Sequence, residues 1–180
     1  MRIDRTCLPR GKNSSVRYLL RREWAPSTRG NLALFVHLRP GEANASQDDA
    51  QTIASIETAK NLGYTGIILA FLFPYRATSF AQMDGLHNDK IRSIRDLWID
   101  QAANQCKDRY AVWGDYGAHC DEDVRVGGRL RPMRCFALTR EGNPKTLRDL
   151  DRSSLITKNF YLDPRKRDLS SVIGTAEARL

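Results

Sequence analysis

The sequence predicts an α/β fold, one domain with a mostly parallel central sheet flanked by helices, and three observations predict it. Short apolar runs of strand length alternate with longer segments of helical periodicity. A length of 180 residues, 41% of them hydrophobic, suits a single sizeable core. Four polar loops containing Gly or Pro each leave the carboxyl end of a predicted strand, the edge at which open α/β sheets bind ligands. The domain is read as the whole chain, with a core over about 16–150 and a basic extension over 151–180.

The elements follow in order. Val16–Trp24 (VRYLLRREW) reads as a strand with a charged tail, and Ala25–Gly30 as a turn. Leu32–Val36 has the composition of a buried strand that breaks at Arg39-Pro40-Gly41, where Gly permits close backbone approach to a ligand. Ile53, Ile56 and Ala59 then recur at helical spacing, so a helix is expected from Asp49 to Leu62, stopping at Gly63. Gly66–Phe71 (GIILAF) is a second buried strand, running into Leu72–Thr78. His87-Asn88-Asp89 can cap a longer helix with Ile91, Ile94, Leu97 and Trp98 on one face. Ala111–Trp113 is a short strand followed by Gly114–His119, and a helix is expected over Asp121–Leu130. Arg134–Leu138 is the last core strand, and beyond Asp151 only a short terminal helix is foreseen.

Charge narrows the partner. The net charge of +8 favours an anionic one, nucleic acid before membrane. Basic residues cluster in the first 22 positions, where Arg21 and Arg22 end the run, and again from Arg125 to Arg167, which includes Lys145, Arg165, Lys166 and Arg167. These six are the candidate DNA contacts. No apolar run approaches the roughly 20 residues of a membrane span, and the start lacks the apolar core of a signal peptide. A cytoplasmic monomer with no membrane partner is expected. Cys7, Cys106, Cys120 and Cys135 form no C-x-x-C pair, so they are read as reduced thiols, with no metal and no cofactor.

The sequence has no phosphate loop of the G-x-x-x-x-G-K-S/T type, no G-x-G-x-x-G, no H-E-x-x-H and no G-x-S-x-G. What remains is a basic domain with carboxylates, Asn and aromatic residues at one sheet edge. That inventory suits cleavage of an N-glycosidic bond in DNA, which needs a flipped base, a donor to the departing base and a carboxylate beside an oxocarbenium-like sugar. Asp48, Glu42 and Asp49 are the candidate carboxylates, in that order, because Asp49 also suits a helix cap. Phe73, Tyr75, Trp113 and Tyr116 are candidates to stack on a base; Asn88, Asn143, Arg76 and His119 are candidates to bond its edge. No Lys falls in these loops before Lys145, so hydrolysis by water is expected rather than a Schiff base. Two other readings share the inventory: a non-catalytic nucleic-acid or nucleotide-binding module, and a hydrolase of free nucleotides.

The succession RYLLRREW, LRPGEAN, DDAQTI, LGYTGIILAFLFPYRAT, HND, VWGDYG and ALTREGNP resembles a bacterial and phage domain family of unknown function, over about Arg17 to Leu150. That family is similar to the uracil-DNA glycosylase superfamily, and this basic chain also resembles the Brig-type anti-phage DNA glycosylases. The resemblance implies a uracil-DNA-glycosylase-like fold and removal of a bulky modified base, such as glucosylated hydroxymethylcytosine, from double-stranded phage DNA in antiviral defence. It adds Arg39 and Asp89 to the substrate-binding candidates. The sequence departs from the family pattern at Arg39 and Phe71, where relatives carry Asn, and at Thr146–Asp149, where they carry H-P-L-Y.

Overall fold

The computed structural model describes residues 4–8, 15–25, 31–76, 79, 81–82, 88–150 and 157–160. Its strands are β1 (Asp4–Leu8), β2 (Leu19–Glu23), β3 (Leu32–His37), β4 (Gly66–Phe71), β5 (Asp108–Ala111), β6 (Met133–Cys135) and β7 (Lys158–Phe160). Its helices are α1 (Ala50–Asn61), α2 (Asp89–Ala103) and α3 (Glu122–Arg129), with 3-10 segments at Asp115–Asp121 and Leu147–Asp149.

The strands form one sheet in the order β1-β2-β4-β3-β5-β6-β7. Only its middle is parallel: β3 pairs in parallel with β4 and with β5, and β5 with β6. The pairs β1–β2, β2–β4 and β6–β7 are antiparallel. The sheet is therefore mixed, not mostly parallel as expected. The periodicity that identifies helical crossovers covers only β3 to β6, and the two margins add strands without such crossovers. Strands β1 and β7 were not foreseen. Each is a short segment with charged residues, which carries little of the apolar signal of a central strand.

Every residue of β3 and β4 is buried, because both sheet faces are covered. Alternation sends Ala33, Phe35, Ile67 and Leu69 to one face, against Ala54, Ile56 and Ala59 of α1. Leu34, Val36, Ile68 and Ala70 face the other side, with Ile99 and Ala102 of α2 and Val126 of α3. Helix α1 starts and stops as the sequence predicts. Asp49 Oδ1 accepts from the Thr52 amide at 2.8 Å, and Gly63 takes a positive φ of 81° just past the end. In α2, Asn88 supplies the cap, its Oδ1 accepting from the Ile91 amide at 3.0 Å.

Helix α2 corrects the predicted face. Leu97 is 63% exposed, whereas Arg95 and Asp96 are buried with Ile99, Ala102 and Ala103. Hydropathy assigns charged residues to solvent, and here they are ion-paired inside. Strand β5 ends at Ala111, earlier than predicted, although the Val112 amide still donates to Val36 O at 3.0 Å.

This order creates a switch point. From β3 the chain passes through α1 to β4 on one side, then returns through α2 to β5 on the other side of β3. The connections leaving β3 and β5 diverge to opposite faces of the sheet, opening a crevice at their carboxyl ends. Among the described residues no helix is long and apolar enough to cross a membrane.

Candidate functional site at the carboxyl edge of the sheet

The loop after β3 is held by three arginines acting on three successive carbonyls. Arg76 Nη2 donates to Glu42 O at 3.3 Å, Arg17 Nη1 to Ala43 O, and Arg22 Nη2 to Asn44 O at 2.5 Å. Arg22 is wholly buried, and its Nε also meets Asp48 Oδ1 at 2.6 Å. Strand alternation explains the placement: Arg21 and Arg22 point to opposite faces, and Arg22 enters the space under the loop. Arg22 is therefore not a DNA contact. Arg21 is partly exposed but engaged, with Glu23 and with Gln105 Oε1 at 2.6 Å.

Asp49 draws the same loop down onto α1. Besides capping the helix, its Oδ2 accepts from the Ala43 amide at 3.0 Å, and the Glu42 amide adds a further bond. Burial pushes its carboxyl up, but the bonds from Thr52, Ala43 and Glu42 outweigh this and hold it below the ordinary value. A Cβ on Gly41 would lie 2.0 Å from Asp49 Oδ2, so the Pro40-Gly41 turn needs glycine for this close approach. Beneath the loop, His37 is buried with Nε2 3.0 Å from Ser55 Oγ; desolvation drives its pKa down to about 3, and the ring is neutral.

The loop after β4 brings Phe73 and Tyr75 inside, at 1% and 0% exposure, so neither presents a face for stacking. Their neighbourhood holds a charged cluster that hydropathy gave no reason to expect. Arg95 Nη1 donates to Leu72 O and to Glu122 Oε2, while its Nε and Nη2 bond Asp96 Oδ1 at 2.9 and 2.7 Å. Arg92 Nε lies 2.9 Å from Glu122 Oε1, and Arg125 Nη2 lies 2.7 Å from Asp96 Oδ2. This cluster fixes the starts of α2 and α3 to the end of β4. Asp89 belongs to its rim, paired with Arg92 at 3.0 Å, and Asn88 is occupied as the α2 cap.

The loop after β5 is shaped by Trp113, which is 1% exposed and also unavailable for stacking. A Cβ on Gly117 would fall 2.1 Å from the indole, which accounts for the second glycine of VWGDYG. Tyr116 is 52% exposed at this rim, and His119 packs against Phe73 with ring centroids 5.7 Å apart. Asn143 Nδ2 donates to Asp115 Oδ1 at 3.1 Å, and the Gly114 amide donates to Pro144 O at 2.9 Å, joining this loop to the hairpin after β6. Arg39 is exposed and Lys145 half-buried on the same edge. Arg165, Lys166 and Arg167 lie outside the described residues, as do the predicted terminal helix and His87.

The structure thus separates the three candidate carboxylates. Asp48 is committed to a buried arginine and Asp49 to a helix cap. Glu42 is 94% exposed at the loop tip, 3.2 Å from Arg76 Nη2. Sequence reading passed over Arg17; its repeated company with Arg22 in RYLLRREW was the available signal. Among the described residues no group of three His, Cys, Asp or Glu side chains is disposed to hold a metal ion.

A comparison with protein families matches residues 17–145 to the family described as protein of unknown function (DUF1643). No curated protein and no solved structure matches the chain.

Proposed function

The chain belongs to the DUF1643 family of proteins of unknown function, and we propose that it is a monofunctional DNA glycosylase working in the crevice at the β3/β5 switch point. The observation that carries this reading is Glu42. It is a carboxylate at the carboxyl end of β3, exposed, on a loop immobilised by Arg17, Arg22, Arg76 and Asp49. A rigidly placed carboxylate there suits water activation and stabilisation of positive charge at C1′. Water adds to C1′, its proton passes to Glu42, and the glycosidic bond breaks with its electron pair leaving on the base. Tyr116 is the candidate aromatic with an exposed face, and Arg39 and His119 are candidate contacts to the base. Resemblance to the Brig-type enzymes supports a bulky modified cytosine of phage DNA as the target, in a cytoplasmic defence role.

The locking of Asp48 and Asp49 favours a second reading, a nucleic-acid-binding module on the same fold without chemistry. Incubation with unmodified, uracil-containing and glucosylated phage DNA separates the two. The glycosylase reading expects abasic sites in the glucosylated DNA and no strand breaks before alkali; DNA bound but intact in all three would leave the binding module.

A further inference from the structure

We propose that Arg17 and Arg76 form a two-guanidinium site for a phosphate group at the carboxyl edge of the sheet, with Glu42 as the resident anion that the phosphate displaces. The proposal shares only its location with the excision chemistry and does not require it.

The backbone sets the pair. The Arg17 amide donates to Pro74 O at 2.6 Å, the Arg76 amide donates to Ser15 O at 2.8 Å, and Val16 bridges Tyr75 in antiparallel fashion. Arg17 and Arg76 are then diagonal neighbours on the face opposite Val16 and Tyr75, within reach of each other's side chains. Both guanidinium groups extend to adjacent carbonyls, Ala43 O and Glu42 O. Two cations so converge on one peptide unit.

Their charge balance differs from that of Arg22. Arg22 meets the Asp48 carboxylate. Arg17 is 2% exposed, yet among the described residues its side chain meets a carbonyl and has no carboxylate within ion-pair distance. Burial first, and the adjacent Arg76 second, lower its pKa from the ordinary arginine value. Keeping two guanidinium groups together in partly desolvated surroundings is unfavourable unless an anion completes the set. Glu42 answers this weakly: its carboxylate is 94% exposed and touches Arg76 at 3.2 Å, the kind of solvated pair that contributes little. A phosphate offers several strong acceptor oxygens to the same planar donors and would bind there in preference.

The phosphate has two possible sources, a phosphodiester of a nucleic-acid strand or the terminal phosphate of a free nucleotide. The test measures binding of a short unmodified DNA oligonucleotide, a deoxynucleoside monophosphate and the matching nucleoside to wild-type protein, Arg76→Gln and Glu42→Gln. The expected result is a loss of at least about tenfold in affinity for a phosphate-bearing probe in Arg76→Gln, the scale of a charge-assisted hydrogen bond. Glu42→Gln, exposed and so neutral for folding, should tighten the same probe by ~3-fold by removing the competing anion. A loss confined to the oligonucleotide identifies a strand phosphate, and a loss with the monophosphate identifies a free nucleotide. Nucleoside binding should not change. Equal affinity of all three proteins for both phosphate probes, or weaker binding by Glu42→Gln, overturns the proposal. Because no excision is scored, the glycosylase reading can fail while the phosphate site stands, and the reverse.

Discussion

Arg22 Nε donates to Asp48 Oδ1 across 2.6 Å, between a strand residue with no exposed surface and a loop residue 26 positions later. The contact converts two residues that look like surface charges into the anchor of the β3 loop. Asp48→Asn should therefore destabilise the protein by about 3 kcal/mol, because it leaves a buried guanidinium without its counter-charge. Chemical denaturation measures this; a loss of activity with unchanged stability would mark Asp48 as a reacting group instead.

Glu42→Gln should behave in the opposite way. The side chain is almost wholly exposed, so folding and melting temperature should be unaffected. Base excision should fall by about a hundredfold or more, the scale of losing a positioned acid–base group, while oligonucleotide binding is retained. Excision at the wild-type rate would remove Glu42 from the chemistry.

Gly117→Ala should cost about 1–3 kcal/mol, the range for overpacking a well-filled interior. The added methyl meets the rigid face of Trp113 at 2.1 Å, not the end of a flexible chain. Changed tryptophan fluorescence alongside the lower melting temperature would report the displaced indole.

Two buried groups give the stability a definite pH dependence. His37 has a folded pKa of about 3 against an unfolded value near 6.5. Below pH 6.5 the unfolded chain takes up a proton that the folded ring refuses, so stability falls as pH drops from there towards 3. Asp49, depressed in the folded state, contributes stability above its unfolded pKa that is lost as pH falls through the folded one. Replacing His37 by Gln should flatten the profile between pH 6.5 and 4. Asp49→Ala should cost ~1 kcal/mol at pH 7, a difference that narrows in acid. Unfolding measured across this range checks both signs.

What could be read in the sequence was what depends on neighbours along the chain. The runs LALFV and GIILAF, the break at Pro40-Gly41, the Asp49 cap and the Gly63 stop all arise from local propensity and period, and all appear in the structure. The β1 and β7 margins did not show, because an edge strand is made by its partner more than by its own composition.

The candidate site divides along the same line. The polar loops could be assigned to one sheet edge from the sequence, since the strand-helix alternation fixes which end of each strand they leave. Whether a given charge there is free or spent depends on partners far away in the chain. Arg22 and Asp48, or Arg95 and Glu122, meet only after the strands and helices have packed. Sequence alone therefore determined the α/β class, the core strands and the edge that carries the polar loops. Tertiary structure decided that Asp48 and Asp49 hold the loop, that Glu42 faces solvent and that Arg17 lies beside Arg76, because burial and ion pairing are properties of the assembled layers and not of any segment.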